Sequence, residues 1–267
     1  MRKYCVIGYP IGHSLSPKIH NREFRALKLD ARYEAIEVKP ERLAQFMKNF
    51  RENFSGASVT IPHKEKIIKF LDKLSPEARA IGAVNAIVNL GGKLIGYNTD
   101  VFGAMSAIRK FFSKKLRGKR AVVLGAGGAA RAIAYGLKKA GAKVKILNRT
   151  LLRAKRLAAD FGCGCGRLSD FNPSGCDLIV NATSVGMWRS KAKYFEESPL
   201  PQLKNLLRGL RKKPAVMDII YRPRMTKLLK DAKKAGCKII TGDYMFLSQA
   251  AKSFELWTGR SSLFQKF

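Results

Sequence analysis

Between residues 120 and 240 short apolar runs alternate with amphipathic stretches, and no other feature of the sequence constrains the fold as tightly. The spacing predicts strands at residues 121–124, 143–147, 177–181, 215–219 and 238–240, with helices near 127–140, 150–160, 202–209 and 225–235. Strands joined by helical crossovers pair in parallel. The region therefore reads as a doubly wound parallel sheet with helices on both faces.

The first hundred residues alternate less regularly. Strand-like runs stand at residues 4–7, 33–38, 58–61 and 86–88, a helical pattern at 41–50, and Gly91-Gly92 turns the chain between 86–88 and 94–97. A helical pattern from about residue 99 to 112 leads into the second sheet. This sets a boundary near residue 100. Beyond the last strand, Phe246, Ala250, Phe254 and Trp257 recur at helical spacing. A helix that follows a completed sheet needs another surface, and the first domain supplies one. The expected organisation is a first α/β domain over residues 1–100, a doubly wound domain over 101–242, and a helical tail over 243–267 that returns to the first.

Composition adds one abnormal quantity. With 46% apolar and 27% charged residues the chain is globular rather than fibrous or disordered. Yet 52 Lys and Arg against 19 Asp and Glu leave a net charge of +33. Such a charge concentrates anions around the chain without selecting among them. The densest stretch, residues 109–120, has many rivals elsewhere in the sequence, so most of these cations read as solvated surface. Weak, salt-sensitive binding to nucleic acid without sequence preference is the expected consequence.

The five cysteines are odd in number and dispersed, which fits a reduced, cytoplasmic setting. Cys163 and Cys165 stand too close together for a zinc knuckle, and the three histidines are too scattered to suggest a metal site. The first apolar run ends at Gly8 and Pro10, too early for a signal sequence, and no run approaches membrane-spanning length.

The strand ending at Leu124 is followed by Gly125-Ala126-Gly127-Gly128-Ala129-Ala130 and then a helix. Glycines there allow a tight turn and a close backbone approach, so that a diphosphate rests on free N–H groups at the positive helix end. Adenosine ribose is read at the end of the next strand, where an acid selects the free 2′-hydroxyl. Here that place reads Asn148-Arg149-Thr150, with Arg153 one turn along. An arginine holds a 2′-phosphate that an acid would repel. The expected cofactor is NADP.

Three segments of the first domain gather small polar residues at element ends. In Gly12-His13-Ser14-Leu15-Ser16-Pro17, Ser16 before Pro17 reads as a helix N-cap. The segment from Ser58 through Thr60 to Lys64 runs from a strand into a helix, which puts a lysine where the helix dipole disfavours it. Gly96-Tyr97-Asn98-Thr99-Asp100 ends another strand with a carboxylate where the next helix favours it. An awkward lysine and a well-placed acid in similar contexts suggest an acid/base pair.

Taken together these segments resemble the shikimate dehydrogenase family, and the likeness runs from Gly8 to Gly259. Its carriers are Gly12 to Pro17, the Val-Thr-x-Pro-x-Lys motif ending at Lys64, Gly82-Ala83-Val84-Asn85, Tyr97 to Asp100, Asn148-Arg149-Thr150, Asn181 to Met187, Asp218 to Pro223, and Gln249-Ala250 through Trp257-Thr258-Gly259. The resemblance implies an N-terminal α/β substrate domain and a doubly wound, Rossmann-type NADP-binding domain, with the tail helix returning to the first. It implies reversible NADPH reduction of 3-dehydroshikimate to shikimate, by a cytoplasmic monomer or homodimer on the way to aromatic amino acids.

Matched by position, Lys64 and Asp100 are the family's catalytic pair. Ser14, Ser16, Thr60, Asn85, Tyr221 and Gln249 hold the substrate. Gly125, Ala126, Gly127, Gly128, Ala129, Asn148, Arg149, Thr150 and Arg153 hold the diphosphate and adenosine side of the cofactor, while Thr183, Met187, Gly242 and Met245 border its nicotinamide. This sequence departs from the family at Ser58, usually Asn, at Ala86, commonly Thr, and at Trp188-Arg189, where a proline is usual. A quinate or dual quinate/shikimate dehydrogenase is the alternative within the family, and Arg149 weighs against its usual NAD. A nucleic-acid-binding protein on a retired dinucleotide fold is the alternative outside it, supported by the charge alone.

Overall fold

The computed structural model describes residues 1–12, 14–112, 116–188 and 196–264. Two compact units emerge, one of Met1–Phe102 with Leu247–Phe267 and the other of Gly103–Phe246.

The first unit contains β1 (Arg2–Gly8), α1 (Ser16–Ala26), β2 (Ala31–Glu37), α2 (Leu43–Asn53), β3 (Gly56–Val59), β4 (Lys73–Leu74), α3 (Pro76–Ile81), β5 (Ala86–Leu90) and β6 (Lys93–Tyr97). Its sheet runs β2-β1-β3-β5-β6-β4, parallel except where β5 lies antiparallel to β3 and β6. The two-residue side-chain period of β1 divides the core. Cys5 and Ile7 join Val59, Ile87 and the α2 residues Leu43, Met47 and Phe50 on one face. Tyr4 and Val6 face the other way, among Phe24, Tyr33, Val88, Phe254 and Trp257.

After β6 the chain enters α4 (Asp100–Phe112), which leads into the second unit. There follow β7 (Arg120–Leu124), α5 (Gly128–Lys139), β8 (Lys143–Leu147), α6 (Leu151–Phe161), β9 (Gly164–Gly166), β10 (Leu178–Asn181), α7 (Leu203–Leu206), β11 (Ala215–Asp218), α8 (Lys227–Lys234) and β12 (Ile239–Ile240). The order β12-β11-β10-β7-β8-β9 is parallel throughout. This is the doubly wound sheet that the alternation predicts, and its winding reverses between β7 and β10. The last helix, α9 (Gly242–Thr258), starts in the second unit and ends in the first, where Ala250, Phe254 and Trp257 join the core beside α1. No described helix is long and apolar enough to cross a membrane.

Several local expectations fail for identifiable reasons. Ser16 does not cap α1: Leu15 holds the N-cap position, and the Ser16 N–H instead donates to Ser14 Oγ at 3.3 Å. Lys64 does not open an α-helix. It sits in a turn fixed by the His63 N–H donating to Thr60 O, and only the 3₁₀ segment Lys66–Phe70 follows. The helix expected at 202–209 shrinks to Leu203–Leu206, because Gly209 adopts a left-handed backbone and the chain turns before it. The helix α3 was not anticipated, although Ser75 caps it by accepting from the Ala78 N–H and Pro76 occupies its first turn.

The face formed by α1 and α9 buries an unusual group. His20 is 1% exposed, stacks on Tyr33 at 4.5 Å and meets Trp257 edge-on at 5.2 Å. Among the described residues neither ring nitrogen has a hydrogen-bond partner. Burial pushes its pKa down to about 3. Below about pH 6.5 the unfolded chain takes up a proton that the fold refuses, so this site loses about 1.4 kcal/mol of stability per pH unit until the pH nears its folded pKa. His20→Phe keeps the stacking and removes the proton. Urea melts of both proteins at pH 7 and pH 5 are expected to show the variant losing about 2 kcal/mol less than the parent over that interval. Equal losses would mean that His20 is not the group responsible.

Candidate functional site

In the first unit the polar strand ends build one cluster. The segment after β3 is pinned to the sheet at Thr60, whose N–H donates to Ile7 O at 2.9 Å. It is pinned below by His63, whose ring is fully buried with Nε2 2.7 Å from Val38 O. The Val84 N–H then donates to Lys64 O at 2.8 Å, so the backbone that carries Lys64 is held from both sides. On the other strand end Asn98 Oδ1 accepts from the Val101 N–H, and Asp100 begins α4, where the positive helix terminus favours its charge.

Lys64 Nζ donates to Asp100 Oδ2 at 2.5 Å, with the side chains 14% and 6% exposed. Asn85 completes the arrangement: its Nδ2 lies 3.0 Å from Asp100 Oδ1, 2.9 Å from Thr99 Oγ1 and 3.3 Å from Gln249 Oε1. Its Oδ1 accepts from the Thr99 N–H at 2.6 Å. The carboxylate is thus fixed through both oxygens. The ammonium carries three protons, of which Asp100 takes one, so it can serve a further acceptor. A nearly dry ion pair with protons to spare is suited to moving a proton to or from a bound hydroxyl or carbonyl oxygen.

The structure thereby joins Lys64, Asp100, Asn85 and Gln249. Ser14 and Ser16 lie at the start of α1, and Thr60 lies just past β3, all at element ends of the same unit. Tyr221 belongs to the second unit, where its ring stacks on Phe246 at 4.2 Å. Sequence reasoning missed Thr99 and Ser253 as members of the cluster. Their hydroxyls meet at 2.9 Å, and Ser253 Oγ also donates to Gln249 O. The position of Ser253, one helical turn after Gln249 on the tail helix, was the signal that could have found the second of them.

In the second unit, Gly125 leaves β7 with φ at +108°, a conformation that L side chains rarely adopt. A Cβ there would also come within 3.1 Å of Ala182 O. Gly127 is the N-cap of α5 with no side-chain cap, and open space lies where its Cβ would be. The first-turn N–H groups therefore stand beside open space at the point where the sheet reverses its winding, which fits a diphosphate. At the end of β8, Asn148 Nδ2 donates to Thr150 O, while Arg149 and Arg153 are exposed and no acid lies among residues 148–153. These features fit a 2′-phosphate.

Past β10, Thr183 and Met187 are half-buried, and the Thr183 N–H and hydroxyl both donate to Asn181 Oδ1. At Gly242 a Cβ would fall 2.5 Å from the carbonyl of Ile220, so only glycine lets α9 start against this loop. Met245 follows in its first turn, buried. His13, Lys114, Lys115 and Arg189 lie outside the described residues.

A family model matches within each of the two units. Residues 6–87 match the family model of the shikimate dehydrogenase substrate binding domain, and residues 106–207 match that of shikimate / quinate 5-dehydrogenase. The chain is 45% identical over 262 residues to a shikimate dehydrogenase (NADP(+)) of Pyrococcus abyssi, covering 97% of this chain and 93% of that protein. It is 41% identical over 272 residues to one of Bacillus cereus, with the same coverage of 97% and 93%. The crystal structure of shikimate 5-dehydrogenase from Thermus thermophilus in complex with NADP(H) and shikimate superposes with a TM-score of 0.86 at 40% identity, covering 99% of this chain and 96% of that one.

Proposed function

The chain belongs to the shikimate dehydrogenase family and is an NADP-dependent oxidoreductase that interconverts shikimate and 3-dehydroshikimate, and we propose that Lys64 and Asp100 handle the proton of this reaction. The observation that carries the assignment is the 2.5 Å ion pair, nearly dry and held through both carboxylate oxygens. In this reading residues 1–100 are the substrate-binding catalytic domain, residues 101–242 bind NADP, and residues 243–267 are a tail packing on the substrate domain. Ser14, Ser16, Thr60, Asn85, Tyr221 and Gln249 hold the substrate.

NADPH, when bound, supplies the hydride. The carbonyl oxygen that receives charge as the carbon is reduced needs a proton, and Lys64 Nζ gives it. In the reverse direction the same nitrogen takes up the hydroxyl proton. Asp100 holds Lys64 at its station and balances the ammonium in a site too dry for either charge to stand alone. Asn85 keeps the carboxylate from rotating.

Within the second unit, Gly125, Ala126, Gly127, Gly128 and Ala129 receive the diphosphate, Asn148, Arg149, Thr150 and Arg153 the 2′-phosphate and adenine, and Thr183, Met187, Gly242 and Met245 the nicotinamide. The bare start of α5 and the acid-free end of β8 support that reading.

Steady-state kinetics of shikimate oxidation test the pair. Lys64→Ala should lower kcat roughly 10²- to 10⁴-fold while the KM for shikimate stays within about tenfold. Asp100→Asn should be comparably damaging, and the double variant no worse than the poorer single one, because the two groups act as a unit. Near-normal turnover in Lys64→Ala, or losses that multiply, would assign proton transfer elsewhere.

Cofactor choice is tested at Arg149. Removing a charge-assisted contact to the 2′-phosphate in Arg149→Ala should narrow the ratio of NADP to NAD efficiencies by about ten- to a hundredfold. An unchanged ratio would leave Arg149 a surface residue.

A further inference from the structure

One buried carboxylate has no part in this chemistry. Asp218 ends β11 with no exposed surface, in a chain with 52 Lys and Arg, yet the groups that bind it are neutral. Asn181 Nδ2 lies 3.1 Å from both its oxygens, Thr226 Oγ1 donates to Oδ2 at 2.7 Å, and the Ile220 N–H donates to Oδ1 at 3.0 Å. Burial pushes its pKa up to about 6, against the pull of these donors, so it is chiefly ionised at neutral pH.

An ionised carboxylate only accepts hydrogen bonds, and this gives the network a direction. Asn181 must turn its amino group toward Asp218, where it also reaches Val185 O at 3.4 Å. Its carbonyl Oδ1 must then face Thr183, where it accepts from the backbone N–H at 3.0 Å and from the hydroxyl at 2.7 Å. Having given its proton to Asn181, the Thr183 hydroxyl accepts from the Val185 N–H at 3.2 Å. The rotamer of Thr183 is fixed by these bonds, and its methyl Cγ2 points at the glycine turn, 3.2 Å from where a Cβ on Gly125 would stand.

We propose that Asp218 is a positioning residue for the cofactor: through Asn181 it sets the direction of a hydrogen-bond relay that fixes the Thr183 loop against the Gly125 turn. The proposal rests on the assignment of these two loops to NADP. It gives a reason for an ion where a neutral side chain would cost less to bury. An asparagine at 218 offers one acceptor to three neighbouring donors and turns an amino group toward that of Asn181. The ready relief is for Asn181 to flip, which reverses the relay and presents donors to the donors of Thr183.

The test measures the KM for NADP⁺, the KM for shikimate and kcat in Asp218→Asn, Asn181→Ala and the double variant, with NADPH affinity read from its fluorescence. Each single variant should raise the KM for NADP⁺ and weaken NADPH binding about tenfold, while the KM for shikimate stays within about twofold. The double variant should match the worse single one, since both cut the same relay. If Asp218→Asn fails to fold, Asn181→Ala alone reads the relay, because Thr226 and the Ile220 N–H still hold the carboxylate there. NADP⁺ and NADPH constants within about twofold of the parent in either folded variant, losses that multiply, or equal losses toward both substrates would overturn the proposal. Failure of the functional reading itself would look different: the parent chain would show no NADP-dependent oxidation of shikimate.

Discussion

Parallel strands deliver all their outgoing loops to one edge of a sheet, and the placement of the chemistry in this molecule follows from that constraint. In the second unit every strand is parallel, so Gly125 after β7, Asn148 after β8, Thr183 beyond β10 and Tyr221 beyond β11 all leave by the same edge. In the first unit the rule should fail at β5, which runs the other way. It is obeyed by inversion. Asn85 precedes β5 rather than following it, and in an antiparallel strand the entering end lies at the edge where its neighbours exit. The Val59 N–H donating to Asn85 O and the Asn85 N–H donating to Tyr97 O record that alignment. This is why an asparagine before one strand reaches a carboxylate after the next.

Two buried carboxylates are held in opposite ways. Asp100 faces a cation through one oxygen and a neutral amide through the other. Asp218 is held by neutral donors on both oxygens. On the proposed reading the charged partner is itself the group that trades the proton, and the carboxylate beside it balances that charge in a nearly dry site. Neutral donors suit a group whose value lies in staying put. They fix direction without offering a proton at neutral pH.

The second unit was legible because its signals are local and repeated: β7, β8 and β11 are each followed by a helix close to the expected bounds, and the glycine turn falls between the first strand and helix. What escaped the reading was mostly short or set by partners. The strand β9 has the sequence Gly-Cys-Gly, with no propensity of its own, and exists because β8 offers it an edge. The two-residue β4 is likewise made by β6. Ser16 satisfied the rule for a cap one residue too late, since the serine two positions earlier captured its N–H. The helix α3 carried complete signals in Ser75, Pro76 and Gly82, and only its six-residue length hid it. For the candidate site, residue types at strand ends could nominate Lys64 and Asp100. The contact of Thr99 with Ser253, 154 residues along the chain, is a product of tertiary folding that no local pattern encodes.

That long-range contact also explains why the first-unit cluster is so heavily cross-linked. The chain passes between its two compact units within α4 and again within α9. Asp100 opens the first of these helices, two residues before the division, and Gln249 lies two residues past the division in the second. Asn85 binds both, and the Thr99–Ser253 bond ties the same two segments one step further on. The hydrogen bonds that orient the lysine–carboxylate pair are therefore among those that hold the near ends of both helices in the first unit. A substitution at Asn85 removes, with one amide, a contact to the Asp100 carboxylate and a contact to Gln249 on α9.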